Sequence, residues 1–149
     1  MVPILIVDDA QEDLVFAQRV LAGNRILNPI VPLSSAKACL DYFNSKDSVR
    51  PVVILLDLVM KPMSGIDLLR KLQTLPAADG SIVIMMSGLA DIKMIAEGYR
   101  LGARTFLIKP LVASELKQML QGINGLAVSK QGAGFVLGLS STGKVAAGG

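Results

Sequence analysis

Five polar side chains end or follow apolar runs in this sequence, and together they could carry out chemistry. Asp8 and Asp9 follow the first apolar run, Asp57 ends the third, Ser87 the fourth and Lys109 the fifth. Such runs are typical of buried strands, and the carboxyl ends of parallel strands meet at one edge of an open sheet. We therefore expect three carboxylates, one hydroxyl and one ammonium group to converge at that edge.

The charges of this set limit its chemistry. Asp8, Asp9 and Asp57 would repel one another in a partly desolvated crevice unless a cation neutralised them. A set of oxygen ligands with room for water suits Mg2+. The positive charge of Lys109 suggests that the site also binds an anion, and Ser87 could donate a hydrogen bond to that anion. Phosphoryl transfer uses such a set, and Asp57 is the candidate nucleophile, which would become an aspartyl phosphate.

The composition excludes several other chemistries. The chain has 149 residues and no histidine, which removes Ser-His and Cys-His nucleophile pairs, histidine metal sites and histidine acid-base catalysis. Its single cysteine, Cys39, allows no internal disulfide, and its helical context is typical of a reduced core residue. The formal charge is +3 and the basic residues are scattered, so charge alone does not indicate nucleic-acid binding.

The hydrophobic pattern predicts a soluble protein. Although 52% of the residues are hydrophobic, the apolar runs are far shorter than the roughly 18 to 20 residues that span a bilayer. The amino terminus enters an apolar run directly, without the basic region and cleavage site of a signal peptide. We therefore expect no membrane insertion and a cytoplasmic location.

The elements that must position the polar residues alternate along the chain. Short apolar runs predict five strands, and segments with one apolar face at helical spacing predict a helix after each strand. Parallel strands need such crossovers, so the predicted class is a doubly wound α/β fold. The strands are expected near residues 2–7, 29–33, 52–56, 82–86 and 105–108. The helices are expected near 14–21, 64–72, 91–101 and 114–120, with the second of the five opened by Ser34 or Ser35 and running to about residue 43.

The last segment differs in composition. Residues 124–149 are rich in Gly, Ser and Ala, with a short apolar stretch at Phe135–Leu137. We predict one domain over residues 1–123 and a flexible tail or linker remnant over residues 124–149. The alternative is an ordered extension that covers a sheet edge or a partner surface.

Four motifs occur in order: 4-ILIVDDAQED-13, 54-ILLDLVMKPMSGIDLL-69, 83-VIMMSG-88 and 102-GARTFLIKP-110. Through them, residues 2 to about 122 resemble the receiver domain of bacterial two-component response regulators, in the manner of chemotaxis regulators. Each motif alone is weak, but all four at these spacings are specific. The resemblance implies a flavodoxin-like fold with five helices and five parallel strands in the order 2-1-3-4-5.

The resemblance also implies a phosphorylation site. Asp57 would accept a phosphoryl group from a phosphohistidine on a sensor histidine kinase or a phosphotransfer protein. Asp8 and Asp9 would hold Mg2+ together with Asp57 and the backbone carbonyl of Val59. The chain would be a signalling switch and not an enzyme in the usual sense, because it catalyses only its own phosphorylation and dephosphorylation.

The remaining matched residues would convert phosphorylation into a change of surface. Ser87 and Lys109 would bind the phosphoryl group, and the peptide before Pro110 would be cis. Phe106 would turn inward as Ser87 moves toward the phosphoryl group. The surface of the fourth helix, fifth strand and fifth helix would then change for a downstream protein partner, or for a homodimer formed through it.

The chain departs from the family pattern around the site. Lys61 stands where the family usually has proline, and Pro62 is displaced by one position, although Gly65 keeps its spacing. Val59 and Leu89 are apolar where the family's pattern places the path of the hydrolytic water. Neither side chain can orient that water, so we predict a slow intrinsic loss of the phosphoryl group.

Two features of the sequence bear on other functions. A flavin-binding electron carrier of the same topology would need a phosphate-binding loop where 8-DDAQED-13 stands. A haloacid-dehalogenase-like phosphatase would need a second carboxylate two residues after the nucleophile, where Val59 stands. A receiver-like scaffold that acts without phosphorylation, and the N-terminal piece of a DNA-binding regulator, stay as alternatives.

Overall fold

The computed structural model describes residues 1–140 of the chain. Within that range, no helix combines the length and the apolar character needed to cross a membrane. The strands are β1 (Ile4–Val7), β2 (Ile30–Leu33), β3 (Val53–Asp57), β4 (Ile82–Ser87), β5 (Thr105–Ile108), β6 (Leu126–Gln131) and β7 (Gly134–Leu139). The helices are α1 (Gln11–Gly23), α2 (Ala36–Asn44), α3 (Gly65–Leu72), α4 (Ile92–Arg100) and α5 (Ala113–Gly122), with a 3-10 turn at Pro76–Ala78.

The first five strands form one parallel sheet in the order β2-β1-β3-β4-β5. In its centre, Ile4 of β1 lies opposite Ile30 of β2 on one side and Val53 of β3 on the other. The strand order therefore reverses between β1 and β3, and open α/β sheets bind ligands beside such a reversal. The predicted fold class and strand order are confirmed.

Two layers of helices cover the two faces of the sheet. In β1, Ile4 and Ile6 face the layer of α1 and α5, whereas Leu5 and Val7 face the layer of α2, α3 and α4. All four side chains are fully buried, which explains why this strand reads as an unbroken aliphatic run. Cys39 belongs to the second layer, where burial raises the pKa of its thiol to about 12 and keeps it protonated.

Side-chain caps begin three of the helices. Ser35, Ser64 and Asp91 each accept a hydrogen bond from the backbone amide three residues ahead. The cap of α2 is therefore Ser35, the second of two adjacent serines at that point of the sequence. Each cap satisfies an amide that the first turn leaves unpaired, which typically stabilises a helix by about 1 kcal/mol.

Gly98 lets α4 lie close to the sheet. It is the one buried residue of this helix, and a methyl group in its place would overlap the sulfur of Met85 on β4. The glycine costs about 1 kcal/mol in helix propensity relative to alanine, and the close packing on Met85 offsets that cost. The carboxylate of Glu97, 3.4 Å from the Arg70 guanidinium on α3, adds an ion pair between the two helices.

Residues 126–139 form an antiparallel hairpin, β6–β7, and do not behave as the predicted tail. Leu126 and Leu137 are buried in the core beneath α1 and α5. Backbone hydrogen bonds join Phe135 to the segment that follows α1. The expectation of a tail or linker remnant over residues 124–149 is thus not met over the hairpin, and residues 141–149 lie outside the described part of the chain.

Glycine hides the strand pattern of this hairpin. Val128 lies opposite Leu137, and Leu126 lies opposite Leu139, so apolar residues do pair across the two strands. Gly134 interrupts that pattern in the sequence, because a side chain there would overlap the carbonyl oxygen of Arg25. The glycine-rich composition therefore reflects close backbone packing at this point.

Asn28 attaches the hairpin to the amino ends of the central strands. Its buried side-chain amide donates to the carbonyl oxygens of Val2 at 2.8 Å and of Leu137 at 2.9 Å. Its side-chain oxygen accepts from the Leu137 amide at 2.7 Å. One side chain thus satisfies three backbone groups from segments that are distant in sequence.

We expect Asn28→Ala to lower the free energy of unfolding by about 2 to 4 kcal/mol, because it leaves buried backbone groups unpaired. Urea denaturation measures this change. Asn44→Ala is the matched control, since Asn44 is the exposed last residue of α2, and it should change the same quantity by less than about 0.5 kcal/mol. Equal effects of the two substitutions would contradict the role given to Asn28.

Candidate functional site

Strand ends bring the predicted site residues to one edge of the sheet. Asp8 follows β1 directly, Asp57 and Ser87 are the last residues of β3 and β4, and Lys109 follows β5. Asp8, Asp9 and Asp57 each offer a carboxylate oxygen, and these oxygens lie within 4.8 Å of one another. The Nζ of Lys109 is 3.1 Å from the Oδ2 of Asp57.

Three of these strand ends share one local geometry. Asp8, Asp57 and Ser87 each accept a hydrogen bond from the backbone amide two residues ahead, at 3.0 to 3.1 Å. Such bonds hold the chain in a turn and fix the side chain that accepts them. In both aspartates the Oδ1 atom is used in this way, while the Oδ2 atom accepts from Lys109.

Most of the site residues are buried, but one side of the site is open to solvent. Asp8, Asp57 and Ser87 are buried, whereas Asp9 is exposed. A hydrated cation could therefore reach the carboxylates from the side of Asp9.

Two peptide bonds near the site, those before Pro62 and Pro110, are cis. The cis bond expected before Pro110 is thus present.

The charges of the site shift the pKa values of its groups. Burial raises the pKa of Asp57 to about 6; the Val59 amide opposes this shift, the Asp8 charge adds to it, and Lys109 opposes it. Burial alone would lower the pKa of Lys109, but its hydrogen bonds to Asp8, Asp13 and Asp57 raise it above its usual value. The resting site therefore holds a carboxylate that is costly to ionise beside a firmly protonated lysine.

The donor set fits a hard divalent cation. It offers only oxygen atoms, from the three carboxylates of Asp8, Asp9 and Asp57. Together with Lys109 these groups carry a formal excess of negative charge, which a divalent cation would neutralise. The backbone carbonyl of Val59, expected from the resemblance as a further ligand, belongs to the turn that Asp57 stabilises.

The loop between β3 and α3 closes tightly on the end of β3. The amide of Gly65 donates to the carbonyl oxygen of Leu58 at 3.0 Å, and a methyl group at Gly65 would overlap the carbonyl oxygen of Asp57. The amide of Lys61 donates to Asp9 at 3.1 Å. A proline at position 61 has no amide hydrogen, so the displacement of proline to position 62 allows this bond.

Asp13 is a site residue that the sequence reasoning missed. It lies in the first turn of α1, and its Oδ2 is 2.9 Å from the Nζ of Lys109. Asp13 stands four residues after Asp9 in the same motif, and this closeness in sequence is the one signal that could have placed it near the cluster. Its contact with a lysine 96 residues away is a property of the tertiary structure.

Three other predicted residues lie around this cluster. Phe106 is half-buried on β5 and packs against the layer of α2, α3 and α4. Val59 is half-buried, whereas the side chain of Leu89 is 84% exposed. The structure describes a single conformation of Phe106, so the switching role of this residue stays a prediction.

The sequence matches the family model of the response regulator receiver domain over residues 4–121. The chain therefore belongs to the response regulator receiver domain family, which is consistent with two-component signalling. The carboxylate cluster, the lysine and the sheet order described above all lie within the matched residues.

Individual relatives agree with this assignment. The chain is 28% identical over 122 residues to the chemotaxis protein CheY of Listeria monocytogenes, covering 81% of this chain and 97% of that protein. It is 33% identical over 125 residues to the transcriptional regulatory protein DcuR of Escherichia coli, covering 82% of this chain and 50% of that protein.

Solved structures share the fold. The bacteriophytochrome response regulator RtBRR superposes with a TM-score of 0.74 at 23% identity, covering 90% of this chain and 86% of that one. The chemotaxis protein CheY4 of Vibrio cholerae superposes with a TM-score of 0.68 at 20% identity, covering 81% and 97% respectively.

The raised pKa of Asp57 predicts how its substitution affects stability. Since the pKa of about 6 in the folded chain exceeds the ordinary aspartate value of 3.8, ionising Asp57 costs the folded state free energy. Its contribution to stability is greatest below about pH 4 and falls as the pH rises to about 6. Without divalent cations at pH 7.5, we expect Asp57→Asn to raise the free energy of unfolding by about 1 to 3 kcal/mol.

Urea denaturation at pH 7.5 and pH 4 tests this expectation. The gain from Asp57→Asn should fall below about 1 kcal/mol at pH 4, where the carboxyl is protonated in the folded state and roughly half protonated in the unfolded state. Asp47→Asn, at an exposed position between α2 and β3, should leave stability nearly unchanged at both values. A gain of equal size at both pH values would contradict the assigned cause.

Proposed function

We propose that this chain is a phosphorylation-controlled switch of a two-component pathway, with Asp57 as the phosphoacceptor. One observation carries the proposal: the Asp57 carboxylate is buried at the strand edge, 3.1 Å from the Lys109 ammonium and beside two further carboxylates. A stabilising ion pair would need one carboxylate for one lysine. Three converging carboxylates are better explained by a site that takes up a cation and a phosphoryl group.

The proposed transfer needs no proton donor on this chain. A carboxylate oxygen of Asp57 attacks the phosphorus of a phosphohistidine on a sensor histidine kinase or a phosphotransfer protein. An oxygen–phosphorus bond forms while the nitrogen–phosphorus bond breaks. The imidazole nitrogen leaves with the bonding electrons, and the ring departs as neutral imidazole because its other nitrogen carries a proton. The absence of histidine from this chain agrees with a donor on another protein.

The residues around Asp57 have separate roles in this proposal. Asp8 and Asp9 would hold Mg2+ together with Asp57 and the Val59 carbonyl. When bound, that ion neutralises negative charge on the phosphoryl oxygens. Lys109 places a second positive charge beside Asp57.

Ser87 lies at the end of the neighbouring strand, and we propose that it donates a hydrogen bond to the phosphoryl group. Movement of Ser87 would then let Phe106 turn inward.

The same proposal assigns the output surface to α4, β5 and α5. Large apolar side chains are exposed there, among them Ile92 and Tyr99 on α4 and Ile108 on β5. Exposed apolar side chains on these elements favour contact with a protein, either a downstream partner or a second copy of the chain. We propose no nucleic-acid contact through this domain, and a cytoplasmic location.

Val59 and Leu89 lead to a prediction about the lifetime of the phosphoryl group. Neither side chain can orient a hydrolytic water, so we expect the double substitution Val59→Asn and Leu89→Glu to shorten the half-life of phosphorylated Asp57 by roughly ten-fold or more. The decay is followed by intact-protein mass spectrometry after removal of the donor. Val49→Glu, at an exposed apolar position between α2 and β3, is the control. An unchanged half-life in the double variant would contradict the assignment.

Intact-protein mass spectrometry also tests the proposed function itself. The chain is incubated with a small acyl phosphate, with and without Mg2+, as the native protein, Asp57→Asn and Asp47→Asn. We expect one phosphoryl group on the native chain and on Asp47→Asn, only with Mg2+, and none on Asp57→Asn. A folded native chain that gains no phosphoryl group would support the alternative of a scaffold that acts without phosphorylation.

A further inference from the structure

Lys109 directs every N–H of its ammonium group at a carboxylate. Its partners are Asp8, Asp13 at 2.9 Å and Asp57 at 3.1 Å. A lysine ammonium has three donors and no acceptor. A phosphoryl oxygen on Asp57 can therefore gain a hydrogen bond from Lys109 only if one of these carboxylates releases its own.

Asp13 differs from the other two partners. Asp8 and Asp57 belong to the carboxylate cluster that could hold a cation, whereas Asp13 lies outside it. The Asp13 side chain is 46% exposed, and Lys109 is its one side-chain hydrogen-bond partner among the described residues. The Asp13 contact is thus not needed to build the cluster, and it draws the lysine toward α1.

Asp13 also changes the charge of the site. Three carboxylates and the Lys109 ammonium carry a formal charge of −2, and Asp13 makes it −3. A divalent cation would then leave −1 instead of neutrality. Because phosphoryl donors are anionic, this additional charge opposes their approach.

We propose that Asp13 is a positioning residue that restrains phosphorylation of Asp57 by competing with the incoming phosphoryl group for Lys109. This inference rests on the proposed function of Asp57. The restraint falls most strongly on small anionic donors. A docked protein donor can offset it with binding energy that small donors lack.

The first test compares phosphorylation rates with a small acyl phosphate in Mg2+ and 0.15 M salt. Asp13→Asn keeps the size of the side chain and removes its charge. We expect a rate about three- to ten-fold above that of the native chain. Glu12→Gln is the matched control, because Glu12 is the exposed neighbour on the same helical turn, and its rate should change by less than about 1.5-fold.

The conservative variant separates the charge of Asp13 from its size. Asp13→Glu retains a carboxylate near Lys109, and we expect its rate to stay within about two-fold of the native rate. Equal acceleration by Asp13→Asn and Glu12→Gln would show a general charge effect and overturn the inference. A slower rate in Asp13→Asn would also overturn it, because Asp13 would then be required to hold Lys109 in place.

A second readout needs no phosphoryl transfer. The nitrogen resonance of the Lys109 ammonium is identified as the one missing from Lys109→Arg, and it is recorded without any donor. We expect Asp13→Asn to shift this resonance and Glu12→Gln to leave it unchanged. An unshifted resonance in Asp13→Asn would overturn the pairing on which the competition depends.

The two readouts distinguish failure of this inference from failure of the proposed function. In one case, the native chain accepts no phosphoryl group while the Lys109 resonance shifts in Asp13→Asn. The proposed function and the competition at Asp57 then both fail, although the hydrogen bond between Asp13 and Lys109 is confirmed. If the native chain is phosphorylated and Asp13→Asn and Glu12→Gln are phosphorylated at equal rates, the proposed function stands and the inference about Asp13 fails.

Discussion

The ammonium group of Lys109 offsets part of the negative charge of the carboxylates that the sheet gathers at its carboxyl edge. Asp8 and Asp57 are buried there, and removing two carboxylates from water is costly even when a cation lies between them. The raised pKa of Asp57 reflects the cost that remains. The proposed chemistry and the stability of the domain are therefore linked, because the charge that destabilises the resting site is also what would attract a cation and, with it, a phosphoryl group.

The rest of the fold fixes the position of this edge, whereas α4 buries little of its own surface. The buried strands β1 and β3 fix Asp8 and Asp57 in place, and the hairpin β6–β7 is attached by Asn28 at the amino ends of the strands. By contrast, α4 buries a single residue, Gly98, and exposes Ile92. The surface proposed to switch thus includes the α-helix that buries the fewest residues in the described part of the chain, as expected where motion is required.

The sequence predicts the parallel sheet and the convergence of Asp8, Asp57 and Lys109, because both follow from the periodicity of apolar runs and from the residues at their ends. It does not predict Asp13 or the hairpin β6–β7. The contact of Asp13 depends on how α1 lies against the strand end before Lys109, which local spacing does not encode. The hairpin was not predicted because glycines interrupt the alternation of apolar and polar residues that is typical of strands. Gly134 is required there because the backbone of Arg25 lies too close for a side chain.

The most direct test of the central claim is chemical identification of the phosphorylated atom. Borohydride reduces an aspartyl phosphate to homoserine, so the chain is treated with a small acyl phosphate and Mg2+, reduced, digested and mapped by peptide mass spectrometry. We expect homoserine at position 57 and unmodified aspartate at positions 8, 9 and 13. Homoserine at position 8, 9 or 13 would contradict the assignment of Asp57 as the phosphoacceptor. A chain that carries a phosphoryl group but yields no homoserine after reduction would contradict it as well.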